Sequence, residues 1–230
     1  MASRTPRMHR SLPIALAIFA LIGGRASAES KPMNLQSAKV AKPVGKPVPL
    51  DPDAVVAKAN AYFNDDATMI ARFTQIGGDG RRTDGQLLID RPGRMRFAYA
   101  PPATLEVVAD GTSVAVIDRK LHTQDLYFIA QTPLKFLLND HVDLAADTKI
   151  MGVSGDGNTA SIDIEDHATF GGTSKIRLTF EQNPFALKQW TVVDPQGYET
   201  VVSLSDIDLQ TKPDDSQFKI NTERLLDTRR

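Results

Sequence analysis

Two periodicities divide this chain. Asp51-Pro52 has the form of a helix start, with the aspartate as N-cap and the proline in the first helical position. Val55, Val56, Ala59, Tyr62 and Phe63 then fall on one helical stripe. That predicts a short amphipathic helix that must lie on something apolar. After Asp65-Asp66 the period drops to two. Ile70 to Ile76 and Gln86 to Asp90 read as strands around the turn Gly77-Gly78-Asp79-Gly80. Arg94 to Tyr99 is the cleanest alternation, with Met95, Phe97 and Tyr99 facing one way and Arg94 and Arg96 the other. Leu105 to Val108 and Val114 to Ile117 flank Asp110-Gly111, a hairpin signal, and Gln124 to Ile129 follows as another strand.

A second helix is predicted from Thr132 as cap and Pro133, running through Leu134, Phe136, Leu137 and Leu138. With so little polar face it must cover a hydrophobic groove or be buried. Strands resume at Lys149 to Ser154, Thr159 to Ile164, Lys175 to Glu181, Leu187 to Asp194 and Tyr198 to Leu209, and Phe218 to Ile220 is expected to close the fold as strand. About ten or eleven strands without a βαβ rhythm predict an antiparallel sheet. A sheet of that width curls, and helices on one face would plug the curl. The expected fold is mainly β with inserted helices: an incomplete, strongly curved antiparallel β-barrel with an α-helical lid.

The first residues change where that domain begins. Arg4, Arg7 and Arg10 precede an apolar run from Leu12 to Ile22, and Ala26-Ser27-Ala28 offers a signal-peptidase site. The run is roughly 11 residues, against the ~20 needed to span a bilayer. Residues 1–28 therefore read as a secretory signal peptide, and no twin-arginine pair stands there to divert it from the general route. Residues 29–52, with Lys31, Lys39, Lys42 and Lys46 among prolines, read as a flexible Lys/Pro-rich linker or as a basic arm touching anionic membrane. Residues 53–230 are left as one domain.

Composition narrows the chemistry. The chain has no cysteine, which removes disulfides, sulfur ligands and an N-terminal lipid anchor. Residues 1–28 hold four arginines and no acid, so the exported chain keeps 23 basic residues against 28 acidic ones. Nucleic-acid binding would show a basic excess instead. His122, His141 and His167 stand at loop-like positions without metal-ligand spacing. No G-x-S-x-G elbow occurs, Gly77-Gly78-Asp79-Gly80 lacks the lysine and helix of a phosphate loop, and Thr173-Ser174 has no base tied to it. The expectation is a non-enzyme with no cofactor and no metal.

One extended motif carries more. It runs Gly85-x-Leu87-x-x-x-Arg91-Pro92-x-x-x-Arg96-Phe97-x-Tyr99-x-x-Pro102, continues through Val107-Val108-Ala109-Asp110-Gly111 and ends at Thr132-Pro133-Leu134. From about Pro52 to Asp227 the chain resembles the LolA family of periplasmic outer-membrane lipoprotein carriers. The resemblance implies the lidded, incomplete barrel and a periplasmic chaperone that encloses lipoprotein acyl chains in an apolar groove. It implies that Arg91 is the lid latch, a guanidinium fork able to bind several helix-end carbonyls. Phe97 stands where tryptophan is common in the family, and Met95 where a bulkier residue can occur. Groove candidates are Phe73, Leu87, Ile89, Met95, Phe97, Tyr99, Leu105 and Val107, with Trp190 a further one, and lid candidates are Leu134, Leu137 and Leu138. Without the family pattern these residues read as ordinary core, because alternation alone does not tell a cavity from a filled interior. Implied partners are acylated lipoproteins, an inner-membrane ATP-driven release complex and an outer-membrane acceptor, with the carrier acting as a monomer. The alternative is a lipid- or lipoprotein-sensing regulatory protein with the same half-barrel.

Overall fold

The computed structural model describes residues 50–221, apart from Leu134 and Phe170. The expected signal peptide and all of the expected linker up to residue 49 lie outside the described residues. Helix α1 spans Pro52–Asp65, and the Asp51 carboxylate accepts from Asp53 N and Ala54 N. Leu50 already packs against the core, so the fold begins slightly before the expected boundary.

The strands are β1 Thr68–Ile76, β2 Arg82–Asp90, β3 Arg94–Tyr99, β4 Leu105–Asp110, β5 Ser113–Asp118 and β6 Thr123–Phe128, then β7 Lys149–Gly155, β8 Thr159–Thr169, β9 Gly172–Gln182, β10 Phe185–Val193 and β11 Glu199–Asp208. Between β6 and β7 lie a 3-10 turn, Ile129–Gln131, and two one-turn helices, α2 Lys135–Leu138 and α3 Leu144–Asp147. All eleven strands form one sheet in the order β6-β5-β4-β3-β2-β1-β11-β10-β9-β8-β7. Each half is a meander, and the antiparallel pairing of β1 with β11 joins them. The sheet does not close into a barrel, because β6 and β7 remain edges.

The sheet is strongly curled. In strand order β3 and β10 are four neighbours apart, about 19 Å on a flat sheet. Yet the Phe97 and Trp190 rings are 6.3 Å apart, edge to face, across the interior. Gly85 on β2 contributes to this packing. The Phe73 ring lies over it, where a Cβ would stand 2.7 Å from the ring and 2.3 Å from the Ala98 carbonyl oxygen. Only glycine lets Phe73 reach Tyr99, at 5.1 Å.

The Thr132 hydroxyl donates back to Ile129 O at 2.9 Å, closing the 3-10 turn, and the described part of the next helix begins at Lys135. One sequence expectation is corrected. Phe218 to Ile220 is not strand. Asp214 caps a 3-10 turn over Asp215–Phe218 through Ser216 N, and the segment crosses the outer face of β3 and β4 instead of joining an edge.

Candidate functional site

The concave face is apolar from both halves of the sheet. Phe73, Leu87, Ile89, Met95, Phe97 and Val107 are all at most 2% exposed and share one cluster with Trp190. Phe73 and Phe97 meet edge to face at 5.0 Å, Ile89 pairs with Met95, and Leu87 with Phe97. Tyr99 packs at the margin, its hydroxyl bonded with Gln75 Oε1 at 2.8 Å; burial pushes that phenol upward. Leu105 is half-buried and lies outside the cluster. The second half supplies an equal wall: Ile162, Ile164, Ile176, Leu178, Phe180 and Val202. Their alternation was visible in the sequence, but the extended motif drew attention to the first half.

Short helices cover this face. From α1, Val55, Ala59 and Phe63 point inward, with Phe63 edge-on to Phe180 at 5.9 Å and to Phe136 at 6.1 Å. From α2, Phe136, Leu137 and Leu138 are buried. Leu134 lies outside the described residues. The chain from 129 to 148 thus bridges the gap between the two edge strands with side chains that fill the interior.

Polar links hold the cover. Asn64 brackets Val142, donating to its carbonyl at 2.9 Å and accepting from its N–H at 2.8 Å. Asn60 Oδ1 accepts from Leu144 N at 3.1 Å, at the start of α3. Lys135 Nζ reaches Asp166 on β8 at 2.8 Å, and that carboxylate is 3% exposed. Gly93 N donates to Leu138 O at 2.8 Å, tying the Arg91-Pro92-Gly93 turn to the end of α2. Gly93 needs its positive φ of 74°, and a Cβ there would stand 2.7 Å from Gly111 Cα. Asn60 and Asn64 could have been found in sequence: they are one turn apart, each directly after a residue of the apolar stripe.

Arg91 sits under α1. Its guanidinium carbon is 5.9 Å from the Phe63 ring centroid, and Nε is buried with no hydrogen-bond partner among the described residues. Desolvation lowers its pKa, against the opposing pull of Tyr62 and Asp66. Tyr62 is shifted upward, also by burial, and its hydroxyl lies by the Leu187 backbone without forming a hydrogen bond of normal geometry. A depression of about 650 Å³ opens beside α1, between Tyr62, Phe185, Ala186, Ile207 and Leu209, with Lys58, Asp65 and Asp66 at its rim.

Polar chemistry elsewhere is sparse. His167 Nδ1 meets Thr173 Oγ1 at 2.8 Å on the exposed β8–β9 hairpin, while the neighbouring Asp166 carboxylate turns toward Lys135. Gly77 to Gly80 is the β1–β2 turn, closed by Gly80 N to Gly77 O at 2.8 Å. No cluster of three or more His, Asp or Glu able to hold a metal occurs among the described residues.

Residues 65–221 match the model of the family described as outer membrane lipoprotein carrier protein LolA. The outer-membrane lipoprotein carrier protein of Pseudomonas paraeruginosa is 24% identical over 177 residues, covering 73% of this chain and 84% of its own. An uncharacterized protein of Rickettsia prowazekii is 25% identical over 154 residues, covering 67% of this chain and 70% of its own. Among solved structures, a LolA superfamily protein from Nitrosomonas europaea superposes with a TM-score of 0.42 at 12% identity, over 75% of this chain and 99% of the other.

Proposed function

The chain belongs to the LolA family of outer membrane lipoprotein carrier proteins, and from that premise we propose that it is a periplasmic chaperone that carries lipoproteins from the inner to the outer membrane. The observation that carries this reading is the apolar concave face, walled by both halves of the sheet and filled by side chains from one-turn helices. Each methylene of an acyl chain removed from water is worth roughly 0.8 kcal/mol, so exposing the chains of a lipoprotein costs tens of kcal/mol. A carrier must enclose them and also surrender them without ATP. A face filled by Phe136, Leu137 and Leu138 when empty makes the exchange nearly balanced, because cargo replaces lid side chains rather than water.

In this reading residues 1–28 direct export. Phe73, Leu87, Ile89, Met95, Phe97, Tyr99 and Val107 contact the acyl chains, with Leu105 at the rim, and α2 is the part that moves. Arg91 takes the latch role through the cover it supports: its guanidinium packs on Phe63 of α1, while the backbone of its turn holds α2. Cargo comes from an inner-membrane ATP-driven release complex and goes to an outer-membrane acceptor. Depleting the protein in its native cell should leave lipoproteins at the inner membrane. Unchanged sorting would contradict the carrier role and favour a lipoprotein-sensing one.

A further inference from the structure

The interior is mainly apolar, its buried polar groups, such as Asp166 with Lys135, are mostly paired, and a few buried donors have no acceptor among the described residues. Trp190 is fully buried, and its indole Nε1 has no partner among the described residues. Its cross-strand neighbours are Leu178 and Val202, and its ring packs edge-on to Phe97. Arg91 Nε, under α1, is a second buried donor without a partner. Indole and guanidinium nitrogens only donate. A buried donor left unpaired is costly, so two of them in one lidded interior mark positions that something else completes. What completes them must bring acceptor oxygens together with apolar surface.

We infer that the Trp190 N–H is a recognition donor for the ester carbonyl of a bound acylated ligand, so the groove reads the linkage at the head of the acyl chain as well as the chain. The inference rests on the acyl-binding reading above and adds a polar criterion to it. A bare hydrocarbon fills the same volume but leaves the indole unpaired, and an ether-linked chain lacks the carbonyl and offers only the weaker ether oxygen. An ester-linked chain pairs it once α2 has moved aside. The same donor serves a free glycerolipid and the diacylglyceryl group of a lipoprotein, because both present the same ester.

The test uses the full exported chain, whose single tryptophan is Trp190 itself. Dioctanoylglycerol and its diether counterpart, di-O-octylglycerol, are titrated while Trp190 emission is followed. The ester should bind about tenfold more tightly, the ratio expected of one hydrogen bond, and should shift the emission to the red, which the ether should not. In Trp190→Phe, followed calorimetrically, the ester-to-ether ratio should fall to about one. Equal affinities and equal emission in the unsubstituted protein would overturn the inference and leave acyl binding intact. Binding of neither probe would overturn both. A diacylglyceryl-cysteine peptide and its diether analogue, run in parallel, should show the same ratio, and tighter binding than the glycerolipid identifies lipoprotein as the source.

Discussion

The sheet carries two covers, one on each face, and they are attached differently. On the outer face the C-terminal segment is held by charge and an aromatic anchor. Arg94 bonds Asp215 at 3.1 Å, Arg96 bonds Gln217 Oε1, and Phe218 is buried beneath Arg94. Glu106, buried under the same segment, is paired with both Arg96, at 2.7 Å, and Arg119. Lifting that cover would separate Arg94 from Asp215 and Lys212 from Asp90, and break the Arg96–Gln217 bond. On the inner face, α2 presents three apolar side chains, and its ties among the described residues include the Lys135–Asp166 ion pair and the Gly93–Leu138 backbone bond. The difference separates a fastened strap from a removable filling. Lifting the inner cover exposes mainly apolar surface, which an acyl chain can cover in its place.

The sharpest way to break this contrast is at the ion pair. Lys135→Ala removes the ammonium from this buried ion pair, an expected cost of about 3–5 kcal/mol, or a Tm drop on the order of 10 °C by thermal denaturation. The double variant Lys135→Met, Asp166→Leu should recover most of that loss, because apolar side chains replace both members of the buried pair. On the strap, Phe218→Ala should cost about 3 kcal/mol in denaturant unfolding while leaving acyl-probe affinity within twofold. A parallel loss of probe binding would show that the two covers are coupled. Asn64→Ala removes both bonds to Val142 and should cost about 1–3 kcal/mol, with faster amide exchange confined to 140–147.

The smallest expected effect is pH-driven and belongs to the strap. The Asp214 carboxyl is held below its ordinary value, first by the Ser216 hydroxyl and then by the Ser216 N–H. A folded-state value below the unfolded one contributes stability above the unfolded pKa of about 3.9 and loses it as pH falls through the folded value. The amide resonance of Ser216 should therefore titrate at lower pH than an ordinary aspartate would impose, and a midpoint at the ordinary value would remove this cap from the account.

Local pattern made the strands legible. Arg94 to Tyr99 is observed with its expected bounds and faces, and the Asp51-Pro52 start with its expected capping. What local pattern did not carry depends on distant partners. The pairing of β1 with β11 joins residues more than a hundred positions apart, and no turn signal encodes it. Helix α3 is a single turn begun by Asp143, too short for a period to register. Phe218 looked like strand because an anchor and a strand residue are both apolar. The groove residues were legible as one face, and their burial under α1 and α2 came only with the packing.

Hydrogen exchange of the two covers, with and without a diacylated lipopeptide, tests the central claim most directly. The account predicts that cargo raises exchange across 129–148 while 212–221 keeps its protection. Cargo bound with α2 still protected, or a strap that opens in its place, would contradict it.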